Sequence, residues 1–223
     1  MKIQIFTRSC NPDLYEKAKS FWPSEIKAIQ YTDFNYTEGA MDFLWKVVFE
    51  AEKYAIVIDE DFFIYDFDKI KCLLFDLILA NKICCGIPEK GFIDHRNFTE
   101  KALNPFFLIL DCERIRFEFI NKKIKLDISF DLVKEEIKWF GTLSVINPHP
   151  EPFHGFFMWL ESIKSPLTFP VKTMEDGIAT DTGFGIHTWY SRDYTIDPAQ
   201  KDRIDNLYLL ANERFINNNS VSR

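Results

Sequence analysis

Polar and apolar residues alternate from Lys2 to Phe6, the period-two signature of a strand. Thr7-Arg8-Ser9-Cys10 then leads into Asn11-Pro12, an N-cap residue followed by proline at the first helical position. The helix predicted there carries Leu14, Tyr15, Ala18 and Phe21 on one face. A second helix is predicted from about Glu38 to Lys53, with Met41, Leu44, Trp45 and Val48 inward. Tyr54 to Ile58 is a continuous apolar run, the pattern of a central strand buried on both faces.

Polarity changes abruptly at Asp59-Glu60-Asp61. After Asp66 and Asp68, Ile70, Leu73, Leu74, Leu77 and Ile78 recur at helical spacing. Lys82 to Gly86 and Phe106 to Leu110 read as further strands, and Asp131 to Phe140 and Phe153 to Ile163 as helices. Asp197-Pro198 opens a last helix with Ile204, Leu207, Tyr208, Ala211 and Phe215 inward. Strands alternating with helices predict an α/β fold, a mainly parallel mixed sheet flanked by helices.

The chain has 223 residues, long enough for one large domain or two small ones. With 47% hydrophobic residues, no repeat and no Ser/Gly-rich linker, one domain over 1–223 is expected, with a frayed tail from Asn217 to Arg223. The net charge of -7 has the wrong sign for holding phosphates of nucleic acid directly, which argues against a nucleic-acid partner. Five cysteines without C-x-x-C spacing predict reduced thiols and a cytoplasmic location. No basic leader with an apolar core opens the chain. The apolar helix from Lys69 to Ala80 is too short for a membrane span and is interrupted by Asp76.

Three acids at the carboxyl end of the most buried strand need compensation, because ligands bind at that edge of open α/β sheets and like charges there repel. Asp59 and Asp61 are two apart and can share one side of an extended chain, and their hard oxygens suit Mg²⁺ or Mn²⁺. A solvated acidic loop is the plainer alternative. A second stretch, Gly183-Phe184-Gly185-Ile186-His187-Thr188-Trp189-Tyr190-Ser191-Arg192, sets a His, two aromatics and an Arg among small residues. His187 could add a nitrogen ligand and Arg192 a cation for an anionic leaving group, or His187 could simply pack in an aromatic core. His95, His149 and His154 lack ligand-like spacing.

Tyr54-Ala55-Ile56-Val57-Ile58-Asp59-Glu60-Asp61-Phe62-Phe63 resembles the apolar strand and D-x-D motif of GT-A-type glycosyltransferases, and His187 in His-Thr-Trp-Tyr-Ser-Arg is similar to their late metal-binding histidine. Between them, Cys85-Gly86-Ile87-Pro88-Glu89-Lys90-Gly91, Arg96 and Asn104-Pro105-Phe106-Phe107 resemble the segment that shapes the donor-sugar pocket in that family. The resemblance implies a GT-A-like, Rossmann-like domain whose donor-binding half covers about 1–110 and whose acceptor side covers about 111–216. It implies transfer of a sugar from a UDP- or GDP-linked donor to a carbohydrate or other hydroxyl acceptor. Asp59, Asp61 and His187 would hold Mn²⁺ or Mg²⁺ on the diphosphate, Thr7, Arg8, Glu60 and Arg192 would serve the nucleotide, and Arg96 and Asn104 the donor sugar or the acceptor.

An inverting transfer needs a carboxylate near the acceptor hydroxyl, whereas a retaining one need not place one there. Asp176, before Gly177 and shortly ahead of His187, is the first candidate base, and Asp181, Glu175 and Glu151 are alternatives. The aromatic run Phe153 to Trp159 could line an acceptor site or pack as core. Two other functions fit the same acids. A metal-dependent phosphohydrolase would need no acceptor, but the D-x-D-x-T/V nucleophile pattern is missing because Phe63 takes its last position. A carbohydrate- or nucleotide-binding protein would bind the donor without turnover.

Overall fold

The opening alternation folds as strand β1 (Ile3–Arg8), and the Asn11 side chain caps helix α1 (Pro12–Lys19) by accepting from the backbone N–H groups of Asp13 and Leu14 at 3.1 and 3.2 Å. The computed structural model describes residues 2–33, 39–89, 102–126, 151 and 153–221. Strand β2 (Lys27–Tyr31) follows, then helix α2 (Ala40–Glu50), strand β3 (Tyr54–Ile58), strand β4 (Phe62–Ile64) and helix α3 (Phe67–Leu79), which Asp66 caps through the Lys69 N–H. Strands β5 (Cys84–Pro88) and β6 (Leu103–Asp111) lead to helix α4 (Cys112–Leu126), and helix α5 (His154–Ile163) precedes four short strands, β7 (Leu167–Thr168), β8 (Lys172–Thr173), β9 (Thr180–Asp181) and β10 (Gly185–His187). A 3-10 turn over Ser191–Asp193 and helix α6 (Pro198–Val221) end the described chain.

The main sheet has the order β2-β1-β3-β6-β5-β7 and is mostly parallel, with β6 alone running against both of its neighbours. Strand β3 is central, as its unbroken apolar run predicts. Successive side chains take opposite faces. Ile5, Ile56, Ile58 and Ile109 enter a core closed by Leu14, Ile70 and Ile204 from α1, α3 and α6. Phe6, Ala55, Val57 and Leu110 enter a second core closed by Leu44, Phe119 and Phe156 from α2, α4 and α5. The aromatic run of α5 is therefore packing: Phe156 lies 5.0 Å and Trp159 5.4 Å from the Trp45 ring.

Several elements differ from the sequence expectation. Helix α4 has no counterpart among the expected elements, because its buried Ile115 and Phe119 alternate with exposed Phe117 and Ile120, which blurs the helical stripe. The two- and three-residue strands carry no readable period. Helix α6 continues through Asn217, where fraying is expected, to Val221; the Asn218 amide donates to the Tyr65 carbonyl at 3.1 Å and ties this last turn to the loop before α3. The helix predicted over Asp131 to Phe140 lies outside the described residues. All five cysteines are free; Cys84, Cys85 and Cys112 are buried, and burial pushes the Cys84 and Cys112 thiols up to about 12. Among the described residues no helix is long and apolar enough to cross a membrane.

Candidate functional site

The acidic turn leaves β3 and enters β4 at Phe62, and β10 pairs antiparallel with β4 so that His187 stands opposite Phe62. The Thr188 N–H donates to the Asp61 carbonyl at 3.0 Å, extending this ladder by one step. Backbone register thus brings the late histidine to the D-x-D. Gly185 permits the close approach, since a Cβ there would meet the Phe62 ring at 2.5 Å and the Phe63 carbonyl at 3.2 Å.

One ligand atom from each of Asp59, Asp61 and His187 lies within 4.8 Å of the others. Asp61 and His187 are buried, and His187 Nε2 is 3.1 Å from Asp61 Oδ1 while Thr188 Oγ1 donates to Asp61 Oδ2 at 3.2 Å. Burial pushes the Asp61 carboxyl up, but His187 and these hydrogen bonds outweigh it and hold the group below the usual carboxylate range. The imidazole stacks on Phe106, and its Nδ1 is buried without a hydrogen-bond partner among the described residues. Two carboxylates, one imidazole and an orphaned ring nitrogen fit a divalent cation better than a satisfied core histidine.

The three residues open onto a cavity of about 170 Å³ that Arg8, Asn104, Glu151 and Arg192 also line. Its rim passes through Trp189 and Tyr190, consecutive non-glycine residues in the left-handed region at φ 60° and 62°. Such backbone persists only where its surroundings over-determine it. Here the Trp189 indole N–H donates to Thr180 Oγ1 at 3.0 Å, and Arg203 on α6 donates to the carbonyls of Thr188 and Trp189 at 2.7 and 3.0 Å. A larger cavity of about 610 Å³ beside Trp22, Phe67 and Phe215 has none of the three metal-ligand candidates, and its acids Asp66 and Asp68 pair with Lys69 and Lys71.

The structure brings Asp59, Asp61, His187, Arg8, Arg192 and Asn104 to one cavity. It places other expected site residues elsewhere. Thr7 is fully buried and does not line the cavity. Glu60 is buried too: its Oε2 accepts from the Ser9 hydroxyl and, at 2.9 Å, from the Asn11 N–H, bracing the acidic turn against the β1–α1 loop. Asp176 is a turn residue. Its Oδ1 accepts from Ile178 and Ala179 N–H and its Oδ2 pairs with Arg203 at 3.0 Å. Burial raises its pKa, but these donors outweigh it and hold the group below the usual carboxylate range. Of the alternative acids, Asp181 is bound to Arg214, Tyr65 and Gly183, whereas Glu151 lines the cavity. No sequence signal set Glu151 apart. Arg96 lies outside the described residues.

No protein-family description matches the chain, and no curated protein does. Among solved structures, it is similar to a glycosyltransferase involved in the glycosylation of the major capsid of PBCV-1, at 10% sequence identity and a TM-score of 0.47, over 76% of this chain and 82% of that one.

Proposed function

We propose that the chain is a metal-dependent glycosyltransferase of GT-A type that moves a sugar from a UDP- or GDP-linked donor to a hydroxyl acceptor. The observation that carries this reading is the convergence of Asp59, Asp61 and His187 to within 4.8 Å at a cavity whose wall also holds two arginines. Asp59, Asp61 and His187 would hold the metal, and the mixed oxygen and nitrogen set favours Mn²⁺ over Mg²⁺. When bound, the metal supplies Lewis-acid stabilisation of the departing diphosphate. It also explains how a chain of net charge -7 accepts an anionic donor.

The chain's own groups divide the remaining work. Arg8 and Arg192 present guanidinium charge to the diphosphate as it gains negative charge. Asn104 offers amide hydrogen bonding to the sugar. Glu151 replaces Asp176 as the candidate for removing the acceptor proton, because it is the carboxylate of this cavity, among the described residues, that is not a metal-ligand candidate.

The test is thermal stability with UDP, GDP and their sugar conjugates, with and without Mn²⁺, followed by detection of free nucleotide in the presence and absence of hydroxyl acceptors. A ligand at 100 times its dissociation constant stabilises by about 2.7 kcal/mol. Metal-dependent stabilisation and acceptor-dependent release are expected. Release of phosphate without an acceptor would support a phosphohydrolase instead, binding without turnover a binding protein, and no metal-dependent shift with any nucleotide would remove the proposal.

A further inference from the structure

Asn104 of the cavity wall belongs to a buried polar cluster whose other members, Glu89 and His154, have no part in the proposed chemistry. Glu89, directly after β5, is fully buried, with Asn104 of β6 and His154 of α5 at 3% and 1% exposure beside it. The Asn104 amide donates to Glu89 Oε1 at 3.1 Å, and His154 Nε2 lies 3.2 Å from Glu89 Oε2. The Glu151 backbone N–H donates to His154 Nδ1 at 3.2 Å, so Nδ1 is the acceptor and Nε2 carries the hydrogen toward Glu89. Among the described residues no lysine or arginine pairs with Glu89. A buried acid held only by an amide and an imidazole is a poor device for stability alone.

Its geometry has a consequence for the cavity. Asn104 Oδ1 accepts from the Phe106 N–H at 3.2 Å while its Nδ2 donates to Glu89. A backbone N–H only donates and a carboxylate accepts, so both partners fix the same amide orientation. Nδ2 carries two hydrogens. Glu89 takes one, and the other has no acceptor among the described residues although Asn104 lines the cavity.

We propose that Glu89 is a positioning residue that sets the polarity of this wall: it holds Asn104 so that the second amide hydrogen serves a hydroxyl oxygen of the donor sugar, and through His154 it fixes the backbone at Glu151. This rests on the glycosyltransferase reading and adds to it a donor-reading residue pair. Exchanging donor and acceptor separates recognition from structure. In the double variant Glu89→Gln/Asn104→Asp, the new amide at 89 donates to the new carboxylate at 104 and still accepts from His154, and the carboxylate still accepts from Phe106. Every internal bond is kept, while the group facing the cavity becomes an acceptor.

The experiment compares Mn²⁺-dependent affinities for UDP and GDP with those for UDP-glucose, UDP-galactose and GDP-mannose, using the best-binding sugar nucleotide as probe, together with the melting temperature. The double variant is expected to melt close to wild type, to bind the free nucleotide unchanged, and to lose about tenfold in affinity for the sugar nucleotide. Asn104→Ala, which leaves the Glu89–His154 contact in place, is expected to show the same selective loss if the double variant does not fold. Free and sugar-linked nucleotide affected alike, or neither affected, overturns the positioning role while the proposed function stands. If the wild-type chain binds no nucleotide at all, both fall.

Discussion

The His187 imidazole lies flat on the Phe106 ring, with centroids 4.0 Å apart and planes 12° from parallel. Phe106 opens the last part of β6, and its carbonyl accepts from the Asp59 N–H at 2.9 Å. One residue of the main sheet therefore sets the orientation of the imidazole and the start of the acidic turn together. Phe106→Leu is expected to keep the fold at a cost of about 1–2 kcal/mol and to weaken Mn²⁺ binding about tenfold, since the ring is then free to tilt. Calorimetric Mn²⁺ titration beside a melting curve checks both, and unchanged metal affinity would remove Phe106 from the site.

Asp59 and Asp61 differ in what else they hold. Asp61 is 2% exposed and accepts from Thr188 Oγ1 beside His187, whereas Asp59 is only half-buried. The two acids at this strand end therefore differ in exposure, and Asp59 is the more open of them. Both alanine variants are expected to abolish Mn²⁺-dependent transfer. Asp61→Ala should also lower stability by about 1–3 kcal/mol by leaving buried partners unsatisfied, and Asp59→Ala by less than about 1 kcal/mol. Equal melting temperatures would contradict the assigned difference.

Asp176 and Arg203 form an ion pair at the base of the strained 189–190 turn. Asp176→Asn retains an oxygen for the Ile178 and Ala179 N–H groups, so transfer is expected to stay within about twofold of wild type. Arg203→Met removes both donors to the Thr188 and Trp189 carbonyls and is expected to weaken metal binding. Steady-state rates and Mn²⁺ affinity on the two variants decide it; a collapse of kcat in Asp176→Asn alone would restore Asp176 as a base.

Asp205 on α6 joins that helix to α1. Its carboxylate meets Lys17, Lys201 and the Tyr194 hydroxyl, and although burial pushes its pKa up, these partners lower it to about 2. An unfolded aspartate titrates near 3.9. A folded pKa below the unfolded one gives stabilisation that is complete above about pH 4 and is lost as pH falls through about 2. Partial solvent exposure reduces it to about 1 kcal/mol. The melting-temperature gap between wild type and Asp205→Asn is expected at pH 6 and should close near pH 2; a gap independent of pH would mean that the pair acts by packing alone.

The sequence by itself determined the elements whose signals are local. Asn11-Pro12 and Asp66 cap their helices where chain order alone predicts, and the apolar run Tyr54 to Ile58 is the central strand that carries Asp59 and Asp61 to a sheet edge. The outcome was different wherever a residue's partner is distant. Neighbourhood in the chain suggested Asp176 for the site, yet its hydrogen bonds belong to a turn and to Arg203, while Glu151, with no local signal, lines the cavity. Glu60, between two metal-ligand candidates, faces Ser9 and Asn11 because the chain turns there, the Phe62 N–H donating back to the Asp59 carbonyl at 3.2 Å. The meeting of His187 with Asp61 is decided by the register of β10 on β4, two three-residue strands too short to leave a period in the sequence. Capping and periodicity are written in neighbouring residues, but strand register and buried polar contacts exist only once segments far apart in the chain pack together, and that is where the tertiary structure chose the site.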